Sequence, residues 1–423
     1  MNIFLIIILL FIVIEYILNF VSRHLNIKNL ETELPEEFKN YYDEEDYKKS
    51  QLYTKEKTKF SNVNDTVMVV FKISFILLGG FNLIDNWARD LVSHPVLTGV
   101  IFLWILILLL QVISIPFSYY GSFVIEEKYG FNRMNLKTFF TDNIKTLLLT
   151  LILSGAMFAP LIWLFSKMDS YAWVMSWIFV FILTLVIQYL APVLIMPLFN
   201  KFYPLEDEEL KNRIMNYADN YAFNIEGIFT MDGSKRTTKA NAYFTGIGKN
   251  KRIVFYDNLV ENFNNNEIMT ILAHEMGHYK LKHILKRLLV SFFTTGVMFY
   301  LLSLFIKNEM LFEAFKMDNL SIYAGIVFFG LLYSPINMLL SLINKYVSRK
   351  NEKEADEFAA RTTGNPNAFI KALKKLSLNN LTNLTPHPAT VFLKYSHPPV
   401  LERIKNIKNY MNAKSNRDFN LEV

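Results

Sequence analysis

The sequence predicts a polytopic α-helical membrane protein, and two observations carry that reading. Of its 423 residues, 52% are hydrophobic and only 19% are charged, against about 25% charged in a soluble domain. The distribution of the charges is more decisive: residues 91–125, 170–200 and 319–344 contain no Asp, Glu, Lys or Arg. Such runs outlast a soluble core helix and match a bilayer core about 30 Å thick, which roughly 20 apolar helical residues span. Cysteine is absent. That excludes a disulfide framework, a thiolate metal site, a cysteine nucleophile and lipidation of this chain on cysteine.

Seven segments reach the required length, near 3–20, 66–84, 96–116, 146–166, 171–191, 288–306 and 320–343. The first is longer than the apolar part of a signal peptide and no small-residue cleavage site follows it, so it reads as a retained helix. Glu15 and Lys72 fall inside the first and second spans. Charges at that depth face protein or water, and Lys72 can also snorkel toward the inner edge.

Orientation follows from the short loops. Those near 85–95, 167–170 and 307–319 hold one, one and two Lys or Arg, whereas 21–65, 117–143, 192–287 and 344–423 hold eight, three, thirteen and fourteen. The N-terminus is expected outside, and the C-terminus and every large polar segment in the cytoplasm. The net charge of +6 then reflects topology. It gives no ground for a nucleic-acid partner, and the lipid bilayer is the expected one. The chain divides into 1–191 (five spans and their loops), 192–287, 288–343 (two spans) and 344–423, with the two polar parts expected to fold together because each is small. The stretch 21–65 reads as charged, solvated helices and turns.

Within 192–287 lies His274-Glu275-Met276-Gly277-His278, on a segment whose apolar residues recur with helical spacing. Asn264 and Glu267 form a capping-box pattern at its start. At 100° per residue the two histidines stand about 40° apart on one helix face, where both can bind a single metal ion. Glu275 sits beside them, placed to take a proton from a metal-activated water. His-Glu-x-x-His is the zinc metalloprotease pattern.

A catalytic zinc needs a third protein ligand and an open position. On a continued helix His283 falls about 180° from His274 and cannot join it. His24 and His94 lie beside spans on unrelated segments and read as structural. That leaves His387, His397 and the carboxylates of the tail. In Asn351-Glu352-Lys353-Glu354-Ala355-Asp356, Glu352, Ala355, Asp356 and Ala359 share a helix face, whereas Glu354 points away and reads as solvated. The small residues permit close helix approach, and the Glu352/Asp356 pair can divide into a ligand and an orienting partner. If the histidine helix runs straight into the sixth span and the seventh runs straight out to Glu352, the three groups arrive at similar heights, roughly 12–15 Å beyond the spans.

These residues also carry a resemblance. The chain resembles the type I CAAX prenyl endoproteases, membrane zinc metalloproteases of the gluzincin class related to quality-control membrane proteases. The likeness runs through Lys49–Phe60, Glu126–Asn132, Pro197–Leu205, Ser234–Arg236, Asn241–Gly246, His274–His278, Ser348–Asp356 and Tyr395–Pro399. It implies seven membrane helices around a hydrated chamber, with a mainly helical protease domain and a small edge strand facing it. One zinc ion per chain would be held by His274, His278 and Glu352, with Glu275 as base. Asp356 would support a ligand histidine, His397 would steady the oxyanion, and Arg403 would support that region. Asn241, Ala242, Tyr243 and Phe244 would pair with the backbone of a peptide or protein substrate, prenylated or not, on a monomeric enzyme. Asn241–Thr245 alternates and is flanked by Gly246 and Gly248, as a short strand should be. The implied reaction removes the last three residues of a prenylated CAAX sequence. Clearance of misfolded membrane proteins is the rival within the same chemistry, and a transporter or scaffold the rival outside it. With no endoplasmic reticulum retrieval signal near Val423, a bacterial plasma membrane is the favoured address and the endoplasmic reticulum the eukaryotic one.

Overall fold

A computed structural model describes residues 2–31, 33–245 and 251–421, with side chains as far as 413. The first part is helical: α1 Ile3–Lys28, α2 Glu44–Leu77, α3 Gly80–Leu91, α4 Pro95–Tyr120, α5 Leu136–Lys167 and α6 Ala172–Leu190. Next come α7 Met196–Phe199, β1 Phe202–Pro204, α8 Glu208–Asn220, β2 Gly227–Met231, β3 Ala242–Thr245, β4 Arg252–Tyr256, α9 Asp257–Asn262 and α10 Asn265–Lys280. The chain returns through α11 His283–Phe305, α12 Glu309–Ala314 and α13 Ile322–Leu332, and closes with α14 Ser334–Thr363, α15 Pro366–Asn379, α16 Pro388–Lys394 and α17 Val400–Leu421.

Among the described residues six helical stretches are long and apolar enough to cross a membrane: α1, α2, α4 with its continuation to Glu126, α5, Asp169–Phe199 and α11. α13 and α14 pass the same test as a pair bent by 52°, which brings the number to seven. The bend falls where Pro335, in the first turn of α14, brings no N–H to continue the ladder of α13. The second expected span, 66–84, is wrongly bounded. α2 ends at Leu77, Gly79 turns left-handed at φ 76° and α3 sets off from Gly80. A Cβ on Gly80 would stand 2.4 Å from the Phe75 ring, so this sharp return needs glycine.

The polar segments share one hydrophobic core, which includes Phe38, Tyr42, Tyr47, Leu210, Phe255, Leu272, Phe369 and Ile404. The stretch 21–65 is therefore not simply solvated, since it plugs three buried aromatics into that core. The sheet has the order β1-β2-β4-β3. β2 runs parallel to β4, and β3 runs antiparallel to β4 with Tyr243 opposite Val254. β3 is thus an edge strand with one row of backbone groups outside the ladder. Gly246 and Gly248, the expected flank of this strand, lie outside the described residues.

α10 starts on the expected capping box: Asn264 Oδ1 accepts from Glu267 N–H, and Glu267 Oε2 accepts from Asn264 N–H, both at 3.0 Å. It packs most closely on α14. A Cβ on Gly277 would lie 3.2 Å from Ala355 Cα, and Ala355 and Ala359 are fully buried, so missing side-chain volume sets the helix spacing. α10 does not run straight into the sixth span. It ends at Lys280, Lys282 turns left-handed at φ 59°, and α11 begins on the next residue.

Candidate metal centre and substrate edge

α10 delivers His274 and His278 one turn apart, and α14 delivers Glu352 against both. His274 Nε2 and His278 Nε2 are 3.3 Å apart. Glu352 Oε2 lies 3.3 Å from His274 Nε2, and its Oε1 lies 3.2 Å from His278 Nε2. Four ligands placed tetrahedrally about 2.0–2.1 Å from an ion stand about 3.3 Å from one another. The triangle therefore has the size a tetrahedral cation requires, and its three groups are identified as able to hold one. Glu352 is 3% exposed and its Oε2 is a buried oxygen with no hydrogen-bond donor. A carboxylate left so is costly unless a cation completes it.

Behind His274, Asp356 Oδ1 lies 2.9 Å from Nδ1. Arg403 holds that carboxylate with two bonds, Nη2 to Oδ1 at 2.6 Å and Nε to Oδ2 at 2.9 Å. Burial alone would lower the His274 pKa, but the adjacent carboxylates of Asp356 and Glu352 outweigh it and push it up to about 9. Arg403, expected to support this region, bonds Asp356 and approaches His274 Nδ1 at 3.4 Å. His397 reaches Glu352, on the same helix as Asp356, with Nε2 3.3 Å from Glu352 Oε1, while its Nδ1 meets Ser396 Oγ at 2.9 Å. Two tail residues six positions apart, His397 and Arg403, therefore cover two carboxylates one turn apart.

Glu275, half-buried, faces a small cleft that it lines with Ala242, Tyr243, Phe244, Ile253, Phe255 and Leu272. β3 and the α10 carboxylate thus border the same space. Asn241 stands just before the strand and accepts from Tyr256 N–H at 3.0 Å, extending the ladder by one bond.

The strand is fixed from below. Lys239 Nζ bonds Glu126 Oε2 at 2.6 Å and Tyr53 Oη at 2.9 Å. Arg236 bonds Asp142 twice, Asn200 Oδ1 and the Phe199 carbonyl, and Asn132 bridges to Thr237. Four of the stretches that carry the family likeness thus meet beneath β3.

Of the other histidines, His387 caps α16, its Nδ1 accepting from Ala389 N–H at 3.1 Å, and His94 precedes α4. His24 lies within α1. The sequence reading missed one pair. His278 Nδ1 is 3.1 Å from His283 Nδ1, and His283 Nε2 is 3.0 Å from Glu354 Oε2. Glu354 is not simply solvated, and the reason is the left-handed Lys282, which swings His283 back over the site.

Fold and site together define a membrane-embedded metallopeptidase of the His-Glu-x-x-His type. A profile described as CAAX prenyl protease N-terminal, five membrane helices, matches residues 23–201, and Peptidase family M48 matches residues 204–411. The chain belongs to Peptidase family M48. It is 33% identical over 416 residues to CAAX prenyl protease 1 of Saccharomyces cerevisiae, covering 91% of each chain. The Arabidopsis thaliana homologue is 33% identical over 91% of this chain and 92% of its own. The Homo sapiens homologue is 29% identical over 92% and 91%. Among solved structures, the crystal structure of S. mikatae Ste24p superposes with a TM-score of 0.91 at 32% identity, over 96% of this chain and 99% of the other.

Proposed function

We propose that this protein is a zinc metalloendopeptidase that removes the last three residues of prenylated CAAX-type substrates. The observation that carries the reading is the His274–His278–Glu352 triangle beside an unpaired strand edge. The relatives' names supply the substrate class. His274, His278 and Glu352 would hold the ion. Bound zinc supplies a Lewis acid and lowers the pKa of water to about 7.

The chain's own groups do the rest. An extended peptide lies along Asn241–Phe244 and takes main-chain hydrogen bonds from β3, a mode that tolerates varied side chains. Glu275, on the cleft, takes the proton of the attacking water and passes it to the leaving amine. His397 donates a hydrogen bond to the oxyanion. Asp356 and Arg403 hold His274 in the tautomer that offers Nε2. The Lys and Arg distribution supports a cytoplasmic site, and the enzyme is proposed to act as a monomer.

The test pairs two variants with two substrates. Glu275→Gln should bind zinc normally and lose about 10²–10⁴-fold in cleavage rate, whereas Glu352→Ala should lose both zinc and cleavage. Normal cleavage by Glu275→Gln removes the assignment. Equal cleavage of one peptide with and without a farnesylated cysteine removes the prenyl requirement and favours general membrane proteolysis.

A further inference from the structure

We infer that His283 and Glu354 are positioning residues for the metal site, holding the His278 imidazole through its rear nitrogen. The inference rests on the proposed ligand role of His278. With Nε2 of His278 turned to Glu352 and His274, its proton sits on Nδ1. That N–H has His283 Nδ1 at 3.1 Å as its acceptor. A His283 ring that accepts at Nδ1 carries its proton on Nε2, and this donates to Glu354 Oε2 at 3.0 Å. Each bond has one donor and one acceptor, so the chain fixes both tautomers without an extra proton.

The carboxylate at its end makes His283 a stronger acceptor and His278 a better electron donor, as a directly bonded carboxylate does for other ligand histidines. The geometry also restrains position. Glu352 and Glu354 stand about 200° apart on an ideal helix, so α14 is held from two directions, by α10 and by the first residue of α11. His283 is fully buried, whereas the Glu354 side chain is 37% exposed.

The alternative is a buried histidine that merely joins the two helices. Zinc affinity of the full-length protein, measured by competition with a chromophoric chelator, separates the two. His283→Phe keeps the packing and removes both bonds, and should weaken zinc binding by about 10- to 100-fold. His283→Asn keeps an acceptor near the position of Nδ1 and should recover much of that loss. Glu354→Gln, at a partly exposed position, should lose less, and should lose nothing further in the His283→Phe background. Wild-type affinity in both His283→Phe and Glu354→Gln overturns the inference, as do equal losses in His283→Phe and His283→Asn. Failure of the endopeptidase reading would show separately, as a zinc-loaded wild type that does not cleave.

Discussion

The two proposed ligand histidines are one turn apart on the same helix, yet the protein supports them in opposite ways. His274 is backed directly by Asp356, a carboxylate 1% exposed that Arg403 neutralises with two bonds. His278 is backed through a second imidazole by Glu354, which reaches solvent and, among the described residues, pairs with no arginine. The difference follows from solvation. A buried carboxylate must be paired or it destabilises the fold, so the interior side of the site imports a cation from the tail. A carboxylate at the surface is solvated and can act alone, at the distance of one more ring. Both supports tie helices together, but only the interior one needs a paired charge to do so.

The largest expected effect breaks the interior side. Asp356→Ala removes the partner of both His274 and Arg403 and leaves a buried guanidinium unpaired, which costs about 3–5 kcal/mol. Zinc affinity should fall about 10- to 100-fold as well, and thermal unfolding and zinc competition read the two effects separately. Asp356→Leu combined with Arg403→Met sharpens the point: replacing the whole pair should restore most of the stability but none of the affinity. A packing change comes next. Gly277→Ala places a Cβ 3.2 Å from Ala355 Cα, and overpacking of this kind costs about 1–3 kcal/mol. By spreading α10 from α14 it should weaken zinc binding even though no ligand is altered.

The smallest effect is read by pH. In the metal-free protein His274 is pushed up to about 9, and zinc needs the neutral ring. Zinc uptake at pH 7 should release a proton, and affinity should rise from pH 7 to about 9 and then level off. The same raised pKa stabilises the metal-free fold, fully below about 6.5 and progressively less as pH rises through about 9. Proton release by calorimetry in buffers of different ionisation enthalpy tests the first claim, and denaturant unfolding across that window tests the second. Asp356→Asn should shift both transitions down.

Much of this could be read from residue order. The charge-free runs announced the spans, and Asn264 with Glu267 announced where α10 begins. The spacing of His274, His278 and Glu352, with Ala355 and Ala359 on the same face, pointed to two helices in close contact. What stayed hidden were changes of chain direction. The left-handed turn at Lys282 has no residue signature, because lysine seldom adopts that conformation. Without that turn, His283 falls on the wrong face and Glu354 has nothing to meet. The break at Gly79 and the bend at Pro335 do carry residue signals, a Gly-Gly pair and a proline, which hydropathy alone does not read. Arg403 was found by position, but its partner was set by a tail fold that no local pattern encodes. Phe38, Tyr42 and Tyr47 were masked by the charges around them.

The bonds of Lys239 and Arg236 give the substrate edge a property of its own. Within a few residues of β3 the chain is pinned to Tyr53 on α2, to Glu126 at the end of the α4 span and to Asp142 on α5. The proposed substrate edge is thus tied to helices long and apolar enough to cross a bilayer, so its position relative to them is fixed by side-chain bonds. For any substrate anchored in that bilayer, the number of residues between anchor and scissile bond becomes a length to be matched. On the proposed reading, that length would place the cut more than the side chains removed.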